Sequence, residues 1–288
     1  MTYRRRASPL HAARAAAGGA YCVALAACAL AFDHPLVLAA VAVAAVGAGA
    51  GAGVGRELAR TARFTIPLAV LVAVVNPLVV RDGLTVFARL GEIPPLGEVD
   101  LTVEALVYGL LLGARVVIVV LCFALFTAAV DPDETLRLLR RVSFRSALTA
   151  AMATRLVPVL ARDARRMADA QACRPPGAAA GRLAVVRAVA ASALDRAVDV
   201  AATLEVRGYG GAAARRPLPR PWSRHDLAFA VSAAALAALA AGARVAGVAS
   251  FAPYPTVHAP AGVAELVLAA AIVAAGLLPF ADRRGIER

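Results

Sequence analysis

The residues of this chain whose type and position point most clearly to chemistry are two arginines, Arg174 and Arg207, each placed where a helical pattern stops. Arg174 precedes Pro175-Pro176-Gly177, which cannot continue a helix, and Arg207 precedes Gly208, which can take the left-handed conformation of a helix cap. An arginine on a terminal turn is held at a defined place, and its planar fork suits bidentate contact with carboxylates and carbonyls. For either residue alone, compensation of the helix dipole is the simpler use.

Other chemistries are excluded by what the chain lacks. All 31 basic residues are arginine. Without lysine there is no phosphate-binding loop of the G-x-x-x-x-G-K-[ST] type and no Schiff-base amine, so any ATP hydrolysis must belong to a partner. Cys22, Cys28, Cys122 and Cys173 show no metal-ligand spacing, and the first three sit in apolar runs where a thiol acts as a small hydrophobe. His11, His34, His225 and His258 are scattered over separate segments. No metal site, cofactor or disulfide framework is expected. Asp82-Gly83 followed by Ala88-Arg89 is superficially similar to the lipid head-group transferase signature Asp-Gly-x-x-Ala-Arg, but its spacer is four residues and the later aspartates are missing. No Ser/His/Asp set replaces it, so no catalytic residue is assigned and the chain is not read as an enzyme.

The elements that must carry these arginines are mostly apolar. With 61% hydrophobic residues, 17% charged and a mean hydropathy of +0.72, the excess cannot be hidden in the core of a soluble domain. Runs near 15–32, 35–54, 64–80, 101–130, 225–248 and 261–280 approach the roughly 20 residues that cross a bilayer, which predicts an all-α polytopic membrane helix bundle of about six spans. With the N-terminus inside, the inner segments hold 27 of the 31 arginines, while the expected outer loops near 33–34, 81–100 and 249–260 hold only Arg81 and Arg89. This places both termini in the cytoplasm and the protein in a bacterial-type inner membrane. Gly47, Gly49, Gly51, Gly53 and Gly55 alternate at the end of the second run, and Gly109 with Gly113 recurs in the fourth, a spacing that permits close helix contact inside the bundle. Arg115 lies within the fourth run, and no helical neighbour pairs with it.

Three regions follow: an N-terminal membrane region, 1–130, with four spans; a cytoplasmic segment, 131–224, with 17 arginines against eight acids; and a C-terminal membrane region, 225–288, with two. In the central segment, Asp131-Pro132-Asp133-Glu134 starts a short amphipathic helix. A second helix runs from about 147 through Pro158 toward Arg174. A third, from about 181, spaces Leu183, Val186, Ala190, Ala193, Ala197, Val200 and Leu204 by three and four, a pattern expected to form its buried stripe.

The chain carries Asn76-Pro77-Leu78, Glu104-Ala105-Leu106-Val107-Tyr108-Gly109, Asp131-Pro132-Asp133-Glu134-Thr135-Leu136, Arg155-Leu156-Val157-Pro158, Cys173-Arg174-Pro175 and Val206-Arg207-Gly208 in that order. Over residues 60–212 it thereby resembles the transmembrane T component of energy-coupling-factor (ECF) transporters, a group that includes the cobalt-transport permease proteins. The resemblance implies two coupling helices whose ends, at Ala-Arg-Gly-like motifs, contact two ABC-type ATPase subunits. It further implies a small membrane subunit that binds a vitamin or a transition-metal ion. The second motif matches at Arg207 and Gly208, beside Glu205, with Val206 in place of alanine. The first departs from the pattern, with Cys173 at the alanine and Pro175 at the glycine. Arg174, Arg207, Cys173, Glu205 and Gly208 are thus the residues the resemblance assigns to ATPase contact.

The leading expectation is a non-enzymatic scaffold that passes ATPase movement into the membrane. The alternatives are a membrane enzyme of lipid head-group metabolism and a membrane-tethered nucleic-acid or lipid-binding protein. The arginine-rich segment has only isolated aromatics, Phe144 and Tyr209, for base stacking, so nucleic acid is not expected as a partner and the bilayer is.

Overall fold

The computed structural model describes residues 3, 5–79, 85–93, 97–139, 144–173, 181–208, 221–251, 262–282 and 284. The apolar runs become helices. A short α1 (Pro9–Ala12) precedes α2 (Ala15–Ala31), α3 (Pro35–Gly51) and α4 (Gly55–Val79). A hairpin of β1 (Val86–Ile93) and β2 (Gly97–Thr102) then leads into α5 (Val103–Ala129). After these come α6 (Pro132–Leu139), α7 (Phe144–Ala172), α8 (Arg182–Val206), α9 (Arg224–Val245) and α10 (Val263–Leu277), which runs into a 3-10 turn, Leu278–Phe280. Four of the described helices, α4, α5, α9 and α10 with its turn, are long and apolar enough to cross a membrane. The other two expected spans form helices of 17 residues, α2 and α3, whose apolar side chains lie largely in the core. The fold is an all-α polytopic membrane bundle.

One local departure is the hairpin. Residues 81–100 read as an outer loop, yet β1 and β2 pair antiparallel from Val86 opposite Thr102 to Ile93 opposite Gly97. The sequence signal was the alternation Glu98-Val99-Asp100-Leu101, a period of two that a search for long apolar runs passes over.

The chain divides into two compact units. The first comprises Met1–Thr135 with Trp222–Arg288, and the second Leu136–Pro221. In the first, α2 packs on α9, α3 on α10, and α4 on α5, so the N-terminal and C-terminal membrane segments share one core. Tyr21 is fully buried there, its hydroxyl donating to the Gly276 carbonyl at 2.7 Å while its ring meets Phe229 and Phe280 edge-on. Apolar burial gains little against lipid, so close packing and interhelical hydrogen bonds must hold such a bundle together. The glycines serve that end. A Cβ on Gly109 would stand 2.9 Å from the Ala73 carbonyl oxygen, and one on Gly113 2.6 Å from that of Ala69, so only glycine lets α5 approach α4 this closely. Asn76 seals the same seam, its side-chain amide donating to the Ala105 carbonyl at 2.9 Å.

Candidate coupling site

The second unit is built on α7 and α8, and their packing turns on one carboxylate. Asp163, buried on α7, accepts a hydrogen bond from Arg196 of α8 at 3.0 Å and another from Arg166, one turn along α7, at 2.8 Å. A carboxylate out of water needs cationic or hydrogen-bonding partners, and this one draws Arg196 inward. That requirement sets the rotation of α8 and corrects the expected stripe. Val185, Val189, Ser192, Ala193, Arg196, Val200 and Leu204 are the partly buried positions among those described, whereas Leu183, Val186, Ala190 and Ala197 are exposed. The helix is apolar over much of its circumference, so hydrophobic spacing could not choose between two faces; the ion pair does.

Asp163→Ala is therefore expected to loosen α8 by about 1–3 kcal/mol, the cost of leaving a half-buried guanidinium without its partner. Arg166→Ala should cost less than about 1, because that side chain is 78% exposed. Amide exchange over 182–206 in the full-length protein reads the difference. Equal protection in the two variants would remove Asp163 from its linking role.

Four of the residues assigned to ATPase contact, Cys173, Glu205, Arg207 and Gly208, are described and lie at the ends of these helices. Arg207 follows the last turn of α8, exposed, with its amide donating to the Thr203 carbonyl at 3.2 Å. Gly208 takes a φ of 68° and donates to the Glu205 carbonyl at 2.8 Å, the left-handed cap expected of it. Glu205 is exposed beside them. Cys173 follows α7 as an exposed free thiol, its amide bonded to the Asp169 carbonyl. Arg174 and Pro175 lie outside the described residues, as do Asp82 and Gly83 of the discounted transferase-like pattern. At 1.5 Å per residue, the Asp163–Arg196 link stands about 15 Å along its helix from each of Cys173 and Arg207. A bond so placed makes the two helix ends parts of one stiff pair.

Sequence reasoning missed the carboxylates that close the arginine-rich end of the first unit. Helix α2 has no side-chain cap of its own. Asp226, nearly inaccessible, accepts the Arg14 amide at 2.7 Å and pairs with the Arg14 side chain at 3.1 Å, while Glu134 of α6 accepts the Ala15 amide at 3.0 Å. Two of the amides left open at the start of α2 are thus satisfied from elsewhere in the chain. Asp226 also completes a capping box with Ser223 at the start of α9. Arg6 reaches both the Gly53 carbonyl and Glu57, tying the N-terminal segment to the corner between α3 and α4. The partner of Arg115 is Asp33, in the turn between α2 and α3, with the Phe32 carbonyl beside it.

The comparisons with known proteins agree with this architecture. A search of the curated proteins finds no match. A family model described as "cobalt transport protein" matches residues 8–219, well over half of the chain and inclusive of both arginine-terminated helices. The long apolar helices and this match together make the chain a membrane transport component, and it belongs to the CbiQ family of cobalt transport proteins.

Proposed function

We propose that this chain is the coupling subunit of an ECF-type importer. Two partner ATPases seat on the ends of α7 and α8, with Arg207 and Arg174 as their charged anchors. Nucleotide-driven movement of those ATPases passes through the helix pair into the bundle, where a small membrane subunit presents the cargo. The region 131–224 and both termini are cytoplasmic in this reading, and the chain binds no nucleotide itself. The family description favours a transition-metal ion of the cobalt class over a vitamin as cargo. The observation that supports the reading best is the end of α8: an exposed arginine at a helix terminus fixed by the Gly208 cap, on a helix locked to its neighbour through Asp163.

Losing one member of a desolvated charge pair at an interface costs about 2–5 kcal/mol, whereas losing a dipole-compensating surface arginine costs about 0.3–1. Arg207→Glu is therefore expected to lower ATPase co-purification by at least about thirty-fold at normal membrane abundance, with cobalt uptake lost in parallel. Arg174→Glu should act in the same direction. Arg182→Glu, at the start of α8, is the control. If Arg207→Glu retains ATPases as well as that control does, the arginine is only a helix cap and the proposed seat is wrong.

A further inference from the structure

Helices α9 and α10 enclose an open groove of about 300 Å³ in the first unit, lined by Arg224, Leu227, Ala228, Val231, Ala235 and Leu278 among others. Arg224, Leu227 or Ala228, Val231 and Ala235 recur at spacings of three and four, so they form one stripe along α9, about 16 Å long at 1.5 Å per residue. The stripe is apolar except at its first residue. Ser232, the other polar side chain lining the groove, donates its hydroxyl to the Ala275 carbonyl at 2.5 Å, which ties α9 to α10 and leaves nothing polar to offer along the groove wall. Leu227, Val231 and Leu278 are all more than half exposed in helices apolar enough to cross a membrane, so the groove opens toward lipid.

We infer that this groove is a binding site for an anionic phospholipid, with one acyl chain along Leu227, Val231 and Ala235 and the headgroup phosphate on Arg224. The dimensions select a chain over a protein segment: a helix is about 10–12 Å across, whereas this volume is at the small end of ligand sites. The charge selects the headgroup. Arg224 is 57% exposed at the same end of the bundle as Arg6 and Arg14, and a guanidinium there offers a phosphate a bidentate contact. Under the proposed orientation this is the inner leaflet. Its competitor is Asp282, 3.6 Å from Arg224, beyond hydrogen-bond length. The Arg284 amide, with Arg224 beside it, holds the Asp282 carboxyl below the ordinary range, so it stays ionised at neutral pH and opposes the phosphate. His225 stands nearby with its ring nitrogen on the Arg284 carbonyl at 3.3 Å.

The chain's only tryptophan, Trp222, lies two residues before Arg224 and gives a direct readout. The full-length protein is reconstituted in phosphatidylcholine vesicles, and its fluorescence is quenched with phosphatidylglycerol or phosphatidylcholine spin-labelled near the headgroup at equal mole fraction. Phosphatidylglycerol should be enriched about five-fold near Trp222. Arg224→Gln should bring the two lipids to parity, and Asp282→Asn should raise the preference. Ala235→Phe fills the groove far from the charge and should also abolish the preference, with Ala228→Leu as the second filling variant should the first fail to fold. Equal quenching by both lipids in the unaltered protein overturns the site. So does a preference that survives the filled groove, because attraction to the +12 chain as a whole would then account for it.

Discussion

Replacing Asp226 by alanine should destabilise the first unit by about 3–5 kcal/mol, the range for removing one member of a buried ion pair. The carboxylate is 2% exposed, accepts hydrogen bonds from the Arg14 amide at 2.7 Å and the Ser223 amide at 2.9 Å, and forms an ion pair with the Arg14 guanidinium at 3.1 Å. Its loss strips the starts of α2 and α9 at once. It also removes the carboxylate from beside Arg14, a side chain only 23% exposed whose guanidinium lies 5.5 Å from the Trp222 ring. Thermal unfolding in mild detergent should show a fall in Tm of many degrees, whereas Asp199→Ala, at an exposed position of α8, should leave it within a degree or two. Asp226→Asn keeps an acceptor and should lose less. Should the alanine variant melt with the Asp199 control, the junction at the arginine-rich end contributes nothing to stability.

The seam between α4 and α5 carries the second large effect. Valine at Gly113 would put a Cβ 2.6 Å from the Ala69 carbonyl oxygen, and the obstacle is helix backbone, which cannot turn aside as a side chain can. Overpacking of this kind costs about 1–3 kcal/mol even where neighbours adjust. Here relief requires moving one helix off the other, which also breaks the Asn76 bond to Ala105. The Gly109 and Gly113 double valine variant should lose most of its membrane abundance and its cooperative melting. Gly242→Ala, on α9 with open space where its Cβ would go, should be neutral or stabilise by up to about 1 kcal/mol through the helix propensity of alanine. Normal abundance of the double variant would show that the helices do not need this close approach.

What the sequence determined by itself is local in origin. Runs of apolar residues near bilayer length, the glycine spacing, the proline-led start of α6 at Pro132 and the left-handed cap at Gly208 each depend on a residue and its neighbours within a turn or two, so composition and spacing reveal them. The two long helices of the central segment and their order were legible for the same reason, and the motifs along the chain carried the resemblance to the family that it proves to belong to. The tertiary structure decided every pairing between distant positions. Nothing near Arg115 on its own helix names Asp33, and nothing near Arg14 names Asp226, 212 positions away. Helix α8 makes the reason plainest. Alanine, valine and leucine surround so much of it that lateral spacing leaves its rotation undetermined, and the face turned inward is the one carrying Arg196, because the buried Asp163 on α7 must be neutralised. The groove between α9 and α10 is likewise invisible in one dimension: Arg224 and Leu278, at the far ends of two consecutive helices, come to line a common space only when those helices pack against each other.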